Sequence, residues 1–513
     1  MHQPAKYILV FAAFLVALAF RLPHLGERPF HGDEANQAMK AGVLLETGAY
    51  AYDPHEHHGP TLYYGVLPVL WACGVENIQQ AQEWMFRVLP ALFGAATVLL
   101  VLLLPGLGAV EAGLAALFIA LSNAMVFYSR YYIQESLFVF FAFLALAALL
   151  QLMLRPSWGW AVLAGLVLGL AHATKETSVV LFAGMGLALL TVWGMGRIKH
   201  SPVLHIPRAL MIATTTGVAL AVAVLLFSSF FTHGRGVMDS VLTYATYLGR
   251  AEGKGSTALH DKPWYAYFEL LAYTYREAGP RWSEGFALAL SLCGIGIACL
   301  TKADTPRGAT LRTLALYAAF VTLVFCLIPY KTPWNLLPFW QPLLVLAGIG
   351  AAWLLMCSKN LIVRTLVALL LAVGFAHATH QTYLGNFQYP ADTRNPYVYA
   401  HTSSAINRLT QRLEDLSAIA PEGKTLHINI LKPDADYWPL PWYLRAYTKV
   451  GYWTQPPASA DADVIIADPA LGEFVASHTT AQYQPEFHAL RPGTNLMVYI
   501  RKPLWDKFME GRR

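Results

Sequence analysis

The chain has 513 residues, of which 56% are hydrophobic and only 13% are charged. A soluble globular protein carries roughly 25% charged residues, so this composition excludes an ordinary soluble domain and predicts a polytopic membrane protein. The formal net charge of +5 does not call for nucleic acid, because cytoplasmic loops of membrane proteins collect Lys and Arg. The five cysteines lie in or beside apolar runs without a CxxC pair, which argues against a disulfide framework or a zinc site.

Hydropathy predicts eleven membrane spans, since a span needs about 20 mostly apolar residues. They cover residues 7–25, 84–106, 111–128, 132–154, 159–174, 177–195, 208–231, 284–301, 311–329, 336–356 and 361–378. The apolar run 61–75 is short and is predicted to form an interfacial helix. A cleaved signal peptide is the alternative for the first span, but the segment continues through Arg21 and Leu22 without the usual polar start of a mature chain.

Positively charged connections orient these spans, because cytoplasmic loops are enriched in Lys and Arg. With a cytoplasmic N-terminus, the inside connections contain Arg155, Arg197, Lys199, Arg208, Lys302, Arg307, Arg312, Lys359 and Arg364. The outside connections are then the long segments 26–83, 232–283 and everything after about residue 380. They hold most of the Trp, Tyr, His and acidic residues.

The composition changes after residue 380, where short strands are predicted at 424–431, 462–468 and 495–502. We therefore predict a transmembrane domain over residues 1–379 and a small extracytoplasmic α/β domain over residues 380–513. Residues 436–445 combine Asp436, Arg445 and a run of aromatic residues. Such a segment binds sugar by stacking or docks the domain onto the membrane part, and docking is the favoured interpretation.

Unusual polar residues concentrate at the outer edge of the predicted spans. They are Asp33 and Glu34 after the first span, the segment 129–135 with Arg130 and Glu135, the segment 172–176 with Lys175 and Glu176, and the segment 330–335 with Lys331. A charge at mid-bilayer is costly, so edge placement partly reflects solubility. The cytoplasmic turns nevertheless lack this mixture of acid, base and aromatic residues.

The order of these motifs carries a family resemblance. His31-Gly32-Asp33-Glu34, His57-His58-Gly59-Pro60-Thr61-Leu62-Tyr63-Tyr64, Ser129-Arg130-Tyr131 with Glu135, and Ala173-Thr174-Lys175 follow one another along the chain. This order resembles the GT-C glycosyltransferase superfamily, which includes protein O-mannosyltransferases and aminoarabinose transferases. The first and the 437–445 segments look closest to a prokaryotic branch known as flippase-activity-associated proteins. The resemblance covers about residues 7–356 well and the C-terminal domain weakly.

The resemblance implies a helical GT-C fold and a sugar donor carried on a polyprenyl phosphate. It places the catalytic base on Asp33, with one direct displacement that inverts the anomeric carbon. Arg130, Lys175 and Lys331 are then expected to bind the donor phosphate, with Glu135 beside Arg130 and Arg276 as a further candidate. The alternatives are that Asp33 caps the following helix, and that Glu135 or Glu176 only forms a salt bridge. Glu34 would orient Asp33, hold a metal or remain a solvated carboxylate.

Histidines mark a departure from that family. Where relatives carry a basic residue before Pro-Pro-Leu, this chain has His57 and His58, and imidazole is only partly charged near neutral pH. With Asp53, the residues His55, Glu56, His57 and His58 form a candidate site for a divalent metal. The alternative is a loop that packs these imidazoles against lipid headgroups. No cofactor beyond such a metal is predicted.

The sequence thus predicts an integral inner-membrane enzyme with its active site and C-terminal domain on the extracytoplasmic side. It would move a sugar from a polyprenyl phosphate to a hydroxyl acceptor on protein, lipid or glycan, with membrane lipids and no nucleic acid as further partners. The first alternative is a lipid-linked sugar transporter or flippase accessory protein, which would need polar groups through the bilayer depth. The second is a non-catalytic assembly protein. Motifs do not encode the identity of the sugar.

Overall fold

The computed structural model describes residues 3–54, 58–251, 260–302 and 304–511. Most of the chain up to residue 388 is helical. The helices are α1 (Gln3–Arg21), α2 (Gly32–Thr47), α3 (Thr61–Ala72), α4 (Glu83–Ala96), α5 (Ala109–Leu121), α6 (Asn123–Ser129), α7 (Glu135–Leu154), α8 (Trp158–His172), α9 (Ser178–Ile198), α10 (Ala209–Phe227), α11 (Arg235–Ala251), α12 (Ala266–Ala272), α13 (Gly285–Leu300), α14 (Pro306–Leu327), α15 (Leu337–Met356) and α16 (Leu361–Tyr383). A two-stranded antiparallel ribbon, β1 (Thr274–Tyr275) and β2 (Arg281–Trp282), stands between α12 and α13.

Eight helices within the described ranges are long and apolar enough to cross a membrane, or nine if α5 and α6, bent by 56°, form one broken span. All nine coincide with predicted spans. The two other predicted spans correspond to the shorter helices α8 and α13, of 15 and 16 residues, so the count of eleven stays a prediction. Helix α3 has 12 residues and is about 18 Å long, too short for a hydrocarbon core of about 30 Å. This length agrees with an interfacial helix.

Small residues let α15 pack closely in the middle of the bundle. A side chain on Gly348 would overlap the Ala115 backbone of α5, and one on Gly294 of α13 would overlap the Leu346 carbonyl of α15. Helix contacts in membranes favour such small residues because apolar burial alone gives little drive in lipid. These contacts fix α5, α13 and α15 as one tightly packed unit.

Charged residues divide between the two ends of the bundle. Glu135, Thr177 and Ile328 line one cavity, and they stand at the start of α7, before the start of α9 and after the end of α14. Each of these helices has 20 to 22 residues and is therefore about 30 Å long. The basic connections after α7 and α9 and before α14 consequently lie at the opposite end. This separation agrees with the predicted division into basic and acid-rich connections.

The C-terminal part folds around a five-stranded sheet. Its elements are α17 (Ala405–Ile419), β3 (His427–Leu431), α18 (Leu440–Tyr443), β4 (Lys449–Trp453), β5 (Val464–Ala467), α19 (Gly472–Ser477), β6 (Tyr483–Arg491), β7 (Thr494–Arg501) and α20 (Lys502–Glu510). The strand order is β4-β3-β5-β7-β6, with parallel pairing of β3 to β4 and β5 and antiparallel pairing of β7 to β5 and β6. The three predicted strands correspond to β3, β5 and β7. The predicted domain boundary at 379/380 falls inside α16.

The segment around α18 docks onto the helical bundle. Trp442 Nε1 donates to Glu83 Oε1 at 3.0 Å, and Arg445 Nη2 donates to the Ala81 carbonyl at 2.8 Å. The Trp442 ring is fully buried and packs against Phe30 and Phe86. These contacts confirm the docking interpretation of residues 436–445.

Candidate active site

The start of α2 turns two neighbouring carboxylates in different directions. His31 is the residue that caps the helix: its Nδ1 accepts a hydrogen bond from the Asp33 backbone N at 3.0 Å. The Glu34 side chain reaches back to the His31 backbone N at 3.0 Å and completes a capping box. The alternative that Asp33 caps this helix is therefore wrong. Its side chain is 51% exposed and lines the main cavity of the site.

Glu34 is an internal anchor of this region. It is fully buried, and each of its oxygens accepts a hydrogen bond from Arg87 at 2.7 Å. The Tyr132 backbone N donates to the same carboxylate at 2.9 Å. Burial alone would raise the pKa of Glu34, but the Arg87 and Arg28 guanidiniums outweigh it and lower the pKa to about 2. The structure thus places Glu34 within the protein and away from the cavity that Asp33 lines.

The Asp33 cavity, as we call it, has a volume of about 350 Å³. Its polar wall comes from six separate parts of the chain and contains Asp33, Asn36, Gln37, His58, Gln134, Glu135, Lys175, Glu176, Tyr244, Tyr330, Thr332 and Asn335. Its apolar wall contains Ile133, Val179, Val180, Phe325 and Ile328. A chamber with one polar and one apolar side suits a ligand that has both a charged head and a hydrocarbon chain.

Lys175 is held in this wall by Glu135. Its Nζ lies 2.5 Å from Glu135 Oε1 and 3.3 Å from Asn335 Oδ1, and both charged side chains are almost fully buried. Glu135 therefore forms its ion pair with the lysine of the next connection and not with Arg130. The alternative that Lys175 forms a salt bridge with Glu176 is also wrong.

Glu176 pairs with His58 on the same wall. Its Oε2 lies 2.7 Å from His58 Nδ1, and its Oε1 accepts a hydrogen bond from the Tyr52 hydroxyl at 2.9 Å. Burial would raise the pKa of Glu176, but His58 and the hydrogen bonds lower it below its usual value. The other predicted metal ligands, His55, Glu56 and His57, lie outside the described residues. Within the described part of the chain, no group of three His, Cys, Asp or Glu side chains has the arrangement of a metal site.

Arg130 stands behind the cavity wall. Its Nη1 donates to the carbonyls of Phe20, Arg21 and Pro23 at 3.1, 3.1 and 2.7 Å, and its guanidinium stacks on Phe387. Burial and the nearby Arg28 and Arg87 lower its pKa to about 9. Arg130 lines a separate cavity of only about 20 Å³. The structure therefore does not bring Arg130 together with Asp33 and Lys175.

Lys331 and Arg276 line a different chamber, here called the second cavity, with a volume of about 690 Å³. Lys331 is 3% exposed and donates from Nζ to the carbonyls of Lys262 and Ile328 at 3.0 and 2.5 Å. Burial lowers the pKa of this lysine. Thr332 lines both cavities, so the two chambers are neighbours.

Two arginines in this region were missed at the sequence level. Arg87 is fully buried and also donates from Nη1 to the carbonyls of Leu25 and Arg28 at 2.7 Å. The signal was present, because a charged residue inside the predicted span 84–106 is costly and implies a buried partner. Arg28 donates to the Arg130 carbonyl at 2.9 Å and lies over the Tyr131 ring. Nothing in its sequence context distinguishes it from a solvated loop arginine.

Comparison with known proteins agrees with this architecture. Residues 63–227 match the family model for dolichyl-phosphate-mannose-protein mannosyltransferase. The fold is similar to that of ArnT from Cupriavidus metallidurans bound to undecaprenyl phosphate, with a TM-score of 0.62 at 14% sequence identity over 97% of this chain and 98% of that one. The apo state of the same ArnT gives a TM-score of 0.60 at 14% identity with the same coverage. No curated protein matches the chain.

The family match includes α4 to α10 and, with them, Glu135 at the start of α7 and Lys175 and Glu176 between α8 and α9. The structural match extends over both the helical bundle and the C-terminal sheet. The chain therefore shares the fold of ArnT along nearly its whole length, and about a third of it matches the mannosyltransferase family model.

Proposed function

We propose that this protein transfers a sugar from a polyprenyl phosphate to a hydroxyl acceptor, with Asp33 as the general base. The observation that carries the proposal is the Asp33 cavity, where a half-exposed carboxylate faces a chamber with cationic and apolar walls. The matched ArnT structure contains undecaprenyl phosphate, a lipid of the chemistry that such a chamber fits. The basic connections lie at the other end of the bundle, which supports an extracytoplasmic active site.

Asp33 suits the role of base better than the other carboxylates of the cavity. Glu135 is paired with Lys175, and Glu176 is paired with His58. Among the described residues, Asp33 forms no ion pair with Lys or Arg, and its Oδ2 lies 3.7 Å from His31 Nδ1. A general base must be ionised and within reach of the hydroxyl proton that it removes. The exposed position of Asp33 meets the second requirement.

The reaction is a single displacement. The acceptor oxygen forms a bond to the anomeric carbon while the bond from that carbon to the phosphate oxygen breaks. The electron pair leaves with the lipid phosphate, and Asp33 takes the hydroxyl proton. Because the acceptor attacks opposite the leaving group, the anomeric configuration inverts. The phosphate leaves as an anion, so no carboxylic acid is required to protonate it.

Lys175 is the cation that we assign to the donor phosphate. An ammonium has three N–H donors, and two of them reach Glu135 and Asn335, which leaves the third for a phosphate oxygen. His58 is the second candidate, since it lines the same wall and its Nδ1 is oriented by Glu176. Arg130 acts at a distance in this proposal: it holds the end of α1 against the 130–134 connection through backbone carbonyls.

Asp33→Asn tests the proposal, because an amide keeps the size of the side chain but cannot take the proton. We expect the rate of transfer from labelled polyprenyl-phosphate sugars, measured in membranes that contain the native acceptor, to fall by about 10²- to 10⁴-fold. Undecaprenyl phosphate binding should stay within about twofold of wild type. Asp506→Asn, on the exposed side of α20, is the matched control. A normal transfer rate in Asp33→Asn would exclude Asp33 as the base.

A further inference from the structure

The second cavity is larger than the Asp33 cavity and has a different lining. Three cations, Lys262, Arg276 and Lys331, face it together with one acid, Glu269. Tyrosines at positions 267, 273, 275 and 399 form much of the remaining wall. The chamber therefore combines an excess of positive charge with aromatic and hydroxyl groups, and its lining is less apolar than that of the Asp33 cavity.

Lys331 gives this cavity a buried positive charge without a neutralising partner. Its Nζ donates to two backbone carbonyls, and within the described ranges it forms no ion pair with Asp or Glu. Asp261 acts on it only through longer-range electrostatics. Buried charges are normally paired, because removal of an ion from water is costly. Lys175 follows that rule with Glu135, whereas Lys331 gives two of its three N–H donors to backbone carbonyls and has the third for a ligand.

The Thr332 hydroxyl is a second polar group on this wall that a ligand could meet. Its Oγ1 is buried and has no hydrogen-bond partner, although the residue lies on the wall that the two cavities share. Buried hydroxyls in proteins are almost always hydrogen-bonded to protein, water or ligand. A group that spans the junction of the two chambers would satisfy this hydroxyl.

We propose that the second cavity is the acceptor site and that it binds an acceptor carrying a phosphate or carboxylate group close to its reacting hydroxyl. This proposal rests on the proposed function and names the acceptor's chemical class. Lys331 and Arg276 bind the anionic group, and the tyrosines contact the part of the acceptor that bears the hydroxyl. The acceptor reaches Asp33 past Thr332 and Tyr399.

The geometry of the displacement supports this assignment, because the donor and the acceptor need separate binding sites. In a direct displacement the acceptor oxygen stands opposite the leaving phosphate, so donor and acceptor must come to the anomeric carbon from different sides. The apolar wall of the Asp33 cavity fits the prenyl chain of the donor. Tyr399, on the wall of the second cavity, is close enough to Asp33 for their charges to interact. An acceptor in the second cavity would therefore reach Asp33 from a side that the donor does not occupy.

Binding measurements on the purified full-length protein test the proposal without a known acceptor. Three probes are compared by native mass spectrometry: glucose 6-phosphate as an anionic sugar, glucose as its uncharged counterpart, and undecaprenyl phosphate as the donor lipid. We expect wild type to bind glucose 6-phosphate at least about tenfold more tightly than glucose. Lys331→Met should abolish that difference and leave undecaprenyl phosphate binding within about twofold. Lys175→Met should weaken undecaprenyl phosphate binding and leave the difference between glucose 6-phosphate and glucose unchanged.

Three further variants separate the possible outcomes. Arg276→Gln alters an exposed residue and is expected to weaken glucose 6-phosphate binding even if Lys331→Met fails to fold, while Lys331→Arg retains the charge and should restore binding. Asp33→Asn should bind all three probes normally, so loss of the proposed base would not affect this result. Equal binding of glucose and glucose 6-phosphate to wild type would overturn the proposal. Loss of undecaprenyl phosphate binding in Lys331→Met would overturn it too, because the cavity would then hold the donor phosphate.

Discussion

Asp33 and Glu34 are neighbours in the sequence, but they occupy opposite environments. Successive residues of a helix point about 100° apart, so the first turn of α2 directs Glu34 towards Arg87 and Asp33 towards the cavity. The buried pair of Glu34 and Arg87 joins the start of α2 to α4, and the Tyr132 backbone adds the connection before α7. The position of the proposed base therefore depends on the carboxylate beside it.

Glu34→Gln should destabilise the fold, because the amide leaves the buried charges of Arg87 and Arg28 without their partner. Breaking a buried ion pair on one side costs about 3–5 kcal/mol, and this should appear as a lower melting temperature in detergent. Glu27→Gln, at an exposed glutamate, is the matched control and should melt like wild type. An unchanged melting temperature in Glu34→Gln would show that the pair does not anchor α2.

The lowered pKa of Glu34 predicts that the folded protein loses stability at low pH. This pKa is lowered to about 2 in the folded protein from an ordinary value of 4.5. The ionised Glu34 therefore makes its full contribution to the free energy of unfolding above about pH 4.5. This contribution is lost as the pH falls towards 2, because the unfolded chain takes up the proton first. The difference in melting temperature between wild type and Glu34→Gln should narrow over that interval.

The four predicted phosphate ligands show what sequence alone can say about single residues. The resemblance implied one phosphate site for Arg130, Lys175 and Lys331, with Arg276 as a further candidate, and all four are predicted to lie at the same end of the bundle. The structure distributes them over three places, because Arg130 meets backbone carbonyls, Lys175 meets Glu135 and Lys331 faces the second cavity. Hydropathy and spacing determine the end of a helix at which a residue lies. The partner of its side chain depends on packing between distant segments.

At the scale of elements, the break between α5 and α6 depends on one carboxylate from another helix. Glu284, just before α13, accepts hydrogen bonds from the Ser122 hydroxyl at 2.6 Å, the Ala124 backbone N at 2.8 Å and the Tyr397 hydroxyl at 2.7 Å. A helix that begins inside the bundle has backbone N–H groups without helical partners. Glu284 supplies the acceptor for one of them and ties α6 to the connection that leads into the C-terminal domain.

Glu284→Ala should loosen this break, because the Ser122 and Tyr397 hydroxyls and the Ala124 N–H lose their acceptor together. Each buried polar group left unsatisfied costs about 1–3 kcal/mol, so the melting temperature should fall clearly. Hydrogen exchange should also increase at residues 123–129. Glu473→Ala on the exposed α19 is the control. Unchanged exchange in α6 would show that the bend is held by its own residues.

The strands and helices were predictable to different degrees, for reasons visible in single segments. β3, β5 and β7 are central and rich in buried Ile, Val and Leu, which gives a strong apolar signal. β4 and β6 are the two edge strands. β4 contains Gly451 and β6 contains Pro485, and both residues weaken a strand pattern although an edge position tolerates Pro. The long apolar helices were recognisable without knowledge of their neighbours, because a segment that crosses lipid must be helical and apolar whatever it packs against.

At the scale of the whole molecule, the C-terminal domain holds the segment that carries the proposed base. The Thr402 hydroxyl donates to the Phe30 carbonyl at 2.7 Å, the Phe30 backbone N donates to the Tyr443 hydroxyl at 2.9 Å, and His31 Nε2 lies 3.0 Å from the Tyr399 carbonyl. The C-terminal domain thus contacts Phe30 and His31, which lie three and two residues before Asp33. Undocking of the C-terminal domain would release the start of α2 and displace the base from the cavity.

Acid should weaken this junction through two buried histidines. The His31 and His401 rings lie 5.3 Å apart, and the His401 ring stacks on Tyr131. Burial lowers the pKa of both imidazoles, and nearby Arg28 lowers that of His401 further. They are therefore neutral in the docked protein. An undocked, solvated His has a pKa of about 6.5 and takes up protons below it, so docking stability is complete above that pH and is lost as the pH falls.

Hydrogen exchange at residues 28–34 and 399–402 measures this effect. We expect exchange at both segments to increase when the pH is lowered from about 7.5 to about 5, after correction for the intrinsic pH dependence of exchange. His401→Phe keeps an aromatic ring on Tyr131 but cannot take up a proton, so it should reduce the pH response. His478→Gln changes an exposed histidine beyond β5 and should leave the response unchanged. If His401→Phe and wild type respond equally to acid, the charge at this junction does not control docking, and other contacts must hold the base segment in place.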